Sequence, residues 1–237
     1  MGTIRSQTVP VRSLDEKERD RLYRLMEADY LGMARPAFEE DLREKQDVML
    51  LRDRESAQIV GFSTLVVFDL PVQDAMVRAV FSGDTVVQSE FRNSFGLGIE
   101  LGRYLRMVAG RYPHDIVVWL LTTKGCRTYA LLPLLFREFY PRWDAATPSL
   151  HARIMDAFGA RTYPAEYDPE HHLIRHTGTP QCLRPGVADA TARRLRDPHT
   201  RFFVQANPDH MNGDELVCVA DAREDNWHPR LRRLVDG

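Results

Sequence analysis

Apolar positions along the chain follow two rhythms, and their alternation sets the order of elements. Residues 8–13, TVPVRS, read as a short edge strand, the place where Pro10 costs no ladder hydrogen bond. In LDEKERDRLYRLMEADYL, the residues Leu22, Leu25, Met26 and Tyr30 recur at helical spacing behind an acidic first turn, which predicts an amphipathic helix. Pro36 opens a second helix, AFEEDLREK, and DVMLLRD reads as a strand. Two long β-branched and aromatic runs follow, QIVGFSTLVVF and AMVRAVFSGDTVVQ, joined through 69–74 as a hairpin. Leu97, Leu101, Leu105 and Val108 then share one face of a helix ending near Gly110.

The run IVVWLLTT is apolar without alternation, as in a strand covered on both faces. Residues 127–139 are expected to be helical with a break at Pro133, and 148–159 to form another short helix. Beyond 178 the segment GTPQCLRPG reads as an irregular connection, RFFVQANPDH and DELVCVAD as strands, and the last residues as a short helix. The order implies a mixed α/β sheet with an antiparallel start and a parallel crossing. It divides into a domain over 1–177 and a C-terminal extension over 178–237, which either completes the same sheet or stands as a small added module.

Composition narrows the class. A chain of 237 residues with 43% hydrophobic and 28% charged residues can bury a real core, and no apolar run approaches a membrane span. The N-terminus has no apolar leader, so the cytoplasm is the expected location. Net charge of -2 gives no drive toward nucleic acid or a membrane surface. Cys126, Cys182 and Cys218 have no paired spacing, which argues against a disulfide framework or a thiolate zinc site. His171, His172 and His176 invite a metal reading, but Pro164 and Pro169 disfavour a helix there and no metal is expected. Lysine occurs only at positions 17, 45 and 124, so nearly every basic residue is arginine.

The chemistry is concentrated in DTVVQSEFRNSFGLGIELGRYL. A strand runs into Arg92, a polar pair and Gly96 and Gly98, then directly into a helix. The first turn of a helix offers unpaired N–H groups and the positive end of its dipole, glycine lets a ligand approach the backbone, and arginine adds a forked donor. The same turn also serves as an ordinary strand-to-helix connection. Neither the Walker loop nor the dinucleotide pattern fits its spacing.

The stretch VQSEFRNSFGLG resembles the strand-to-helix motif of the GNAT acyltransferases, the acetyl-CoA-dependent N-acetyltransferase superfamily. Phe91-Arg92 takes the aromatic-arginine place and Gly96-Leu97-Gly98 the glycine pair. The order of elements matches over about 8–160. Three residues, Asn93, Ser94 and Phe95, separate arginine from glycine where the family usually has two. Phe136 stands where a general-acid tyrosine is usual.

The resemblance implies a GNAT-like acyl-CoA N-acyltransferase fold in which two neighbouring strands splay and the pantetheine arm enters between them. Thr85, Val86, Val87 and Gln88 would form the pantetheine edge facing 116–122, and Arg92, Asn93, Ser94, Phe95, Gly96, Leu97 and Gly98 the pyrophosphate turn. It implies acetyl-CoA or another acyl-CoA as cosubstrate and a small-molecule amine that attacks the thioester directly. Two variants belong to the same fold: an acyl carrier protein as donor, or a non-catalytic binding module. Asp84 and His114 are the candidate bases, each also readable as a turn cap. Tyr129 and Tyr140 are the nearest phenols for the acid, each also readable as packing. The tail past 178 would help hold the acceptor, or serve packing or a homodimer.

Overall fold

The computed structural model describes residues 4–73, 75–177, 181–187 and 189–237. Ile4–Pro10 forms the first strand, β1, and Val11–Ser13 a single 3-10 turn, so the strand starts and stops earlier than the apolar pattern suggests. Asp15 caps helix α1 (Glu16–Asp29): its carboxylate accepts the Glu18 N–H at 2.8 Å while the Glu18 side chain accepts the Asp15 N–H at 3.1 Å. A two-residue strand, β2 (Tyr30–Leu31), leads to α2 (Arg35–Glu44), with proline in its first turn. Strands β3 (Asp47–Asp53), β4 (Ile59–Val72) and β5 (Ala75–Val87) follow. The hairpin is tighter than expected: Val72 pairs with Ala75, and Pro71 lies inside β4 opposite Met76.

Helix α3 (Gly96–Arg111) carries the chain to β6 (Ile116–Thr123). The helix expected over 127–139 is two short pieces, α4 (Cys126–Tyr129) and α5 (Leu131–Leu135); Phe136 turns extended and bridges to Trp227 instead. Helix α6 (Ser149–Thr162) and the short strands β7 (Tyr167–Asp168), β8 (Leu173–Ile174) and β9 (Cys182–Leu183) come next. Residues 201–210, expected as strand, are largely helical in α7 (Pro198–Ala206), because Asp197 caps the Thr200 N–H and proline opens the first turn. Strand β10 (Glu215–Asp221) and helix α8 (Pro229–Asp236) end the chain.

Among the described residues eight strands form one sheet in the order β1-β3-β4-β5-β6-β10-β8-β7, every neighbour antiparallel except β5 and β6. Residues 178–180, at the expected start of the extension, lie outside the described residues. Alternation along β3 shows how the sheet separates two cores: Met49 and Leu51 join the cluster under α3, α5, α7 and α8, while Val48 and Leu50 join the one under α1 and α2. A third cluster lies under α6. Among the described residues no helix is long and apolar enough to cross a membrane.

Candidate active site

The opening that makes the site comes from a conflict of pairing. Strand β5 runs parallel to β6 from Val77 opposite Ile116 to Ser82 opposite Leu121, and there the ladder ends. Past that point β5 stays on β4, through Thr85 opposite Ser63 to Val87 opposite Gly61, while β6 stays on β10, through Thr123 opposite Leu216. Each strand follows its outer neighbour, so the two part.

The β4–β5 register also shifts here, leaving Gly83 and Asp84 as a bulge across from Thr64. Gly83 has no room for a side chain: a Cβ would lie 2.7 Å from Thr64 Oγ1. Gly83→Ala is therefore expected to cost about 1–3 kcal/mol of stability, and Thr64→Ala in the same chain to restore most of it. A double-mutant cycle by chemical denaturation measures that coupling.

At the apex of the opening the Trp119 indole donates to Ser82 Oγ at 2.9 Å. Above it lies a cavity of about 760 Å³. Its lining comes from both faces of the sheet, with Leu97 and Leu131 from the α3 side and Met26 and Phe38 from the α1–α2 side. The cavity therefore passes through the plane of the sheet at the splay.

On the α3 side, Thr85, Val87, Arg92, Asn93, Ser94, Phe95, Leu97 and Gly98 all line it, so most of the motif read from the sequence converges there. The cap residue of α3 is Phe95, whose side chain makes no capping hydrogen bond. Three motif residues are employed elsewhere. Val86 points into the α1–α2 core, Gln88 accepts from Arg21 at 2.9 Å, and Gly96 packs on β3, where a Cβ would lie 2.6 Å from Leu51 Cδ2. Arg92 has a structural task as well: its Nε donates to Val87 O at 2.9 Å and its Nη2 to both Asp29 oxygens at 2.9 Å. Burial raises the Asp29 pKa in spite of that pairing.

Two arginines that the motif did not include complete this end. Arg230 of α8 lies 5.1 Å over the Phe95 ring, and Arg127 of α4 lines the same cavity. Burial and the nearby charges of Arg194 and Arg92 lower the Arg127 pKa.

Asp84, Asp41, Lys45, Lys124, His176 and Glu215 gather in the cavity on the other side of the opening. Lys45 Nζ bonds Asp41 at 2.6 Å, Lys124 Nζ meets Glu215 at 3.1 Å, and His176 Nε2 lies 3.0 Å from the same carboxylate. Burial penalises the Glu215 charge, but Lys124 and His176 outweigh it and hold the pKa at about 2. The bond to Glu215 raises the His176 pKa. Asp84 is different: burial and the negative charge of Asp41 push it up to about 7 against the pull of Lys45.

The other three catalytic candidates lie away from the cavity. His114 is exposed at the head of β6, and because β6 runs parallel to β5 that head is at the end of the sheet opposite the splay. Tyr129 is fully buried among Phe139, Phe202 and Phe203, its hydroxyl donating to Pro141 O at 2.9 Å. Tyr140 pairs with Val219 and packs on His151 in the core beneath α6. The phenols that do line the cavity are Tyr30 and Tyr163, both kept protonated by burial and by nearby carboxylates. His171 and His172 bond Asp168 and Tyr167, and no cluster of metal-ligating side chains occurs among the described residues.

No model of a known family matches the chain, and no curated protein matches it. Solved structures do. A conserved protein of unknown function from Enterococcus faecalis V583, described as a probable N-acyltransferase, is 14% identical with a TM-score of 0.41, over 54% of this chain and 31% of that one. The N-myristoyltransferase of Saccharomyces cerevisiae with bound myristoyl-CoA is 13% identical with a TM-score of 0.40, over 52% of this chain and 30% of that one. Glucosamine-6-phosphate N-acetyltransferase from Arabidopsis thaliana is 15% identical with a TM-score of 0.35, over 50% of this chain and 81% of its own. The matches span about a third of the length of the first two.

Proposed function

We propose that the chain is an N-acyltransferase that moves an acyl group from a CoA thioester to an amine by direct attack. One observation carries the reading: the splay of β5 from β6 past Ser82 and Leu121 opens onto the N-terminus of α3 on one side and onto Asp84 on the other. A pantetheine arm needs an unpaired strand edge to bond along, and its phosphates need convergent N–H groups and cations. The Thr85–Val87 edge and the turn with Arg127 and Arg230 provide them.

The chemistry follows from what lies near the opening. The amine nitrogen bonds to the thioester carbonyl carbon, Asp84 takes the proton that the nitrogen sheds, and the C–S bond breaks to leave a thiolate. A carboxyl with a pKa of about 7 is matched to that proton at neutral pH. Tyr30 and Tyr163 are the phenols in the lining, and on this reading one of them returns a proton to sulfur.

Arg92 favours a second reading of the donor. With its guanidinium tied to Asp29 and Val87 O, the motif arginine has little left for a pyrophosphate. A phosphopantetheine on a carrier protein, which lacks the nucleotide, demands less of that turn. Calorimetry separates the two: acetyl-CoA is expected to bind at least ten times more tightly than acetyl-phosphopantetheine if CoA is the donor. Equal affinity points to a carrier protein, and heat from neither sinks the acyl-transfer reading.

A further inference from the structure

The half of the cavity on the α1–α2 side differs in chemistry from the donor half. Its wall is Met26, Met33, Ala37 and Phe38, of which Met26 and Phe38 are rooted in the core below. Thioether and phenyl surfaces gain by covering apolar groups and adapt to their shape. The cations on the floor are already matched: Lys45 to Asp41, and Lys124 and His176 to Glu215. Both lysine side chains are only 11% exposed. Drawing Lys124 toward a charged substrate would strand Glu215, a buried carboxylate, a change more costly than the new contact returns, and drawing Lys45 away would leave Asp41 unpaired beside Asp84. Asp84 is the remaining carboxylate on this floor, and it lies beside Asp41.

Resting on the acyl-transfer reading, we infer that the acceptor is a primary amine whose remaining part is uncharged and apolar, an alkyl or arylalkyl amine. Its nitrogen sits at Asp84 and its apolar part lies against Met33 and Phe38. Sugar phosphates are disfavoured because, among the described residues, the cations of this floor are already paired, and polyamines because Asp84, the carboxylate left over, is taken by the reacting nitrogen.

The test uses the full chain and thiol release from acetyl-CoA, with acetyl-phosphopantetheine as the nucleotide-free donor. 2-Phenylethylamine and hexylamine are compared with ethanolamine, putrescine and glucosamine 6-phosphate. The apolar amines are expected to exceed the others by at least about 10-fold in kcat/KM. Phe38→Ala, and Met33→Gln at a half-buried position where refolding is less at risk, should each cut the preference for 2-phenylethylamine over ethylamine about 10-fold. The donor Kd should not move. A charged acceptor that outperforms the apolar ones overturns the inference, as does an equal loss for both amines in the variants. Donor binding with no turnover of any apolar amine overturns it too and leaves the donor site standing, whereas absence of donor binding overturns the reading beneath it.

Discussion

Asp84→Asn is expected to lower kcat/KM for acyl transfer by about 10²–10⁴-fold, the usual loss of a positioned acid–base group, while acetyl-CoA affinity stays within twofold. The same substitution should raise stability above neutrality. In the folded chain burial and Asp41 hold the Asp84 proton up to about pH 7, whereas in the unfolded chain it leaves near the ordinary 3.8. A raised folded pKa means that the contribution of Asp84 to stability is complete below pH 4, declines as pH rises through 7, and is then a cost on the order of a few kcal/mol. Asparagine cannot ionise, so Asp84→Asn should melt several degrees above the parent at pH 8 and close to it at pH 4. In the parent, kcat/KM should climb between pH 6 and 8 as the carboxylate forms, and that limb should vanish in the variant. A variant that keeps both the activity and the pH limb assigns the base to another residue.

What the sequence disclosed about this site, and what it concealed, has a physical pattern. Local signals survived: the apolar runs at 47–53 and 116–123 are strands with those bounds, because strand period and flanking polar residues are properties of the segment itself. The strand-to-helix turn was legible for the same reason, since glycines, arginine and helix onset are contiguous. The place of Asp84 in the cavity lining was legible too, because it lies on the strand that feeds that turn. Groups gathered by topology were not. Asp41 and Lys45 come from α2 and its exit, Glu215 from the last strand and His176 from the stretch after β8, and only the insertion of β10 between β6 and β8 brings Glu215 and His176 to Lys124.

One sequence signal did point there. Of the three lysines in an arginine-dominated chain, two line this cavity. A compact ammonium fits a crowded floor where a guanidinium fork would not. The misplaced candidates show the converse. His114, Tyr129 and Tyr140 were chosen by distance along the chain, but a parallel strand places its head far from its end, and aromatic clusters take phenols into the core. Residues 201–210 misled for a similar reason: the pair Phe202-Phe203 suits either a strand or a helix, and the Asp197–Pro198 start decides for the helix.

Ser94→Asp should separate the donor site from the fold. Ser94 is exposed, lines the cavity and lies two residues ahead of the first residue of α3. A carboxylate there lies at the positive end of the helix dipole, so stability should stay level or rise by about 0.3–1 kcal/mol. If the donor phosphates rest on the N-terminus of α3 as proposed, the same charge repels them and competes for the same N–H groups. Acetyl-CoA binding should weaken by about 100-fold, which corresponds to about 2.7 kcal/mol, and the loss should shrink as salt screens the repulsion. Ser94→Asn, equal in size and uncharged, should bind within a few-fold of the parent. Because the altered group stabilises the helix that it disarms, reduced affinity cannot be assigned to unfolding. Unchanged acetyl-CoA binding in Ser94→Asp at low salt would mean that no donor phosphate rests on the N-terminus of α3, and the proposed route of the pantetheine through the splay would lose its anchor.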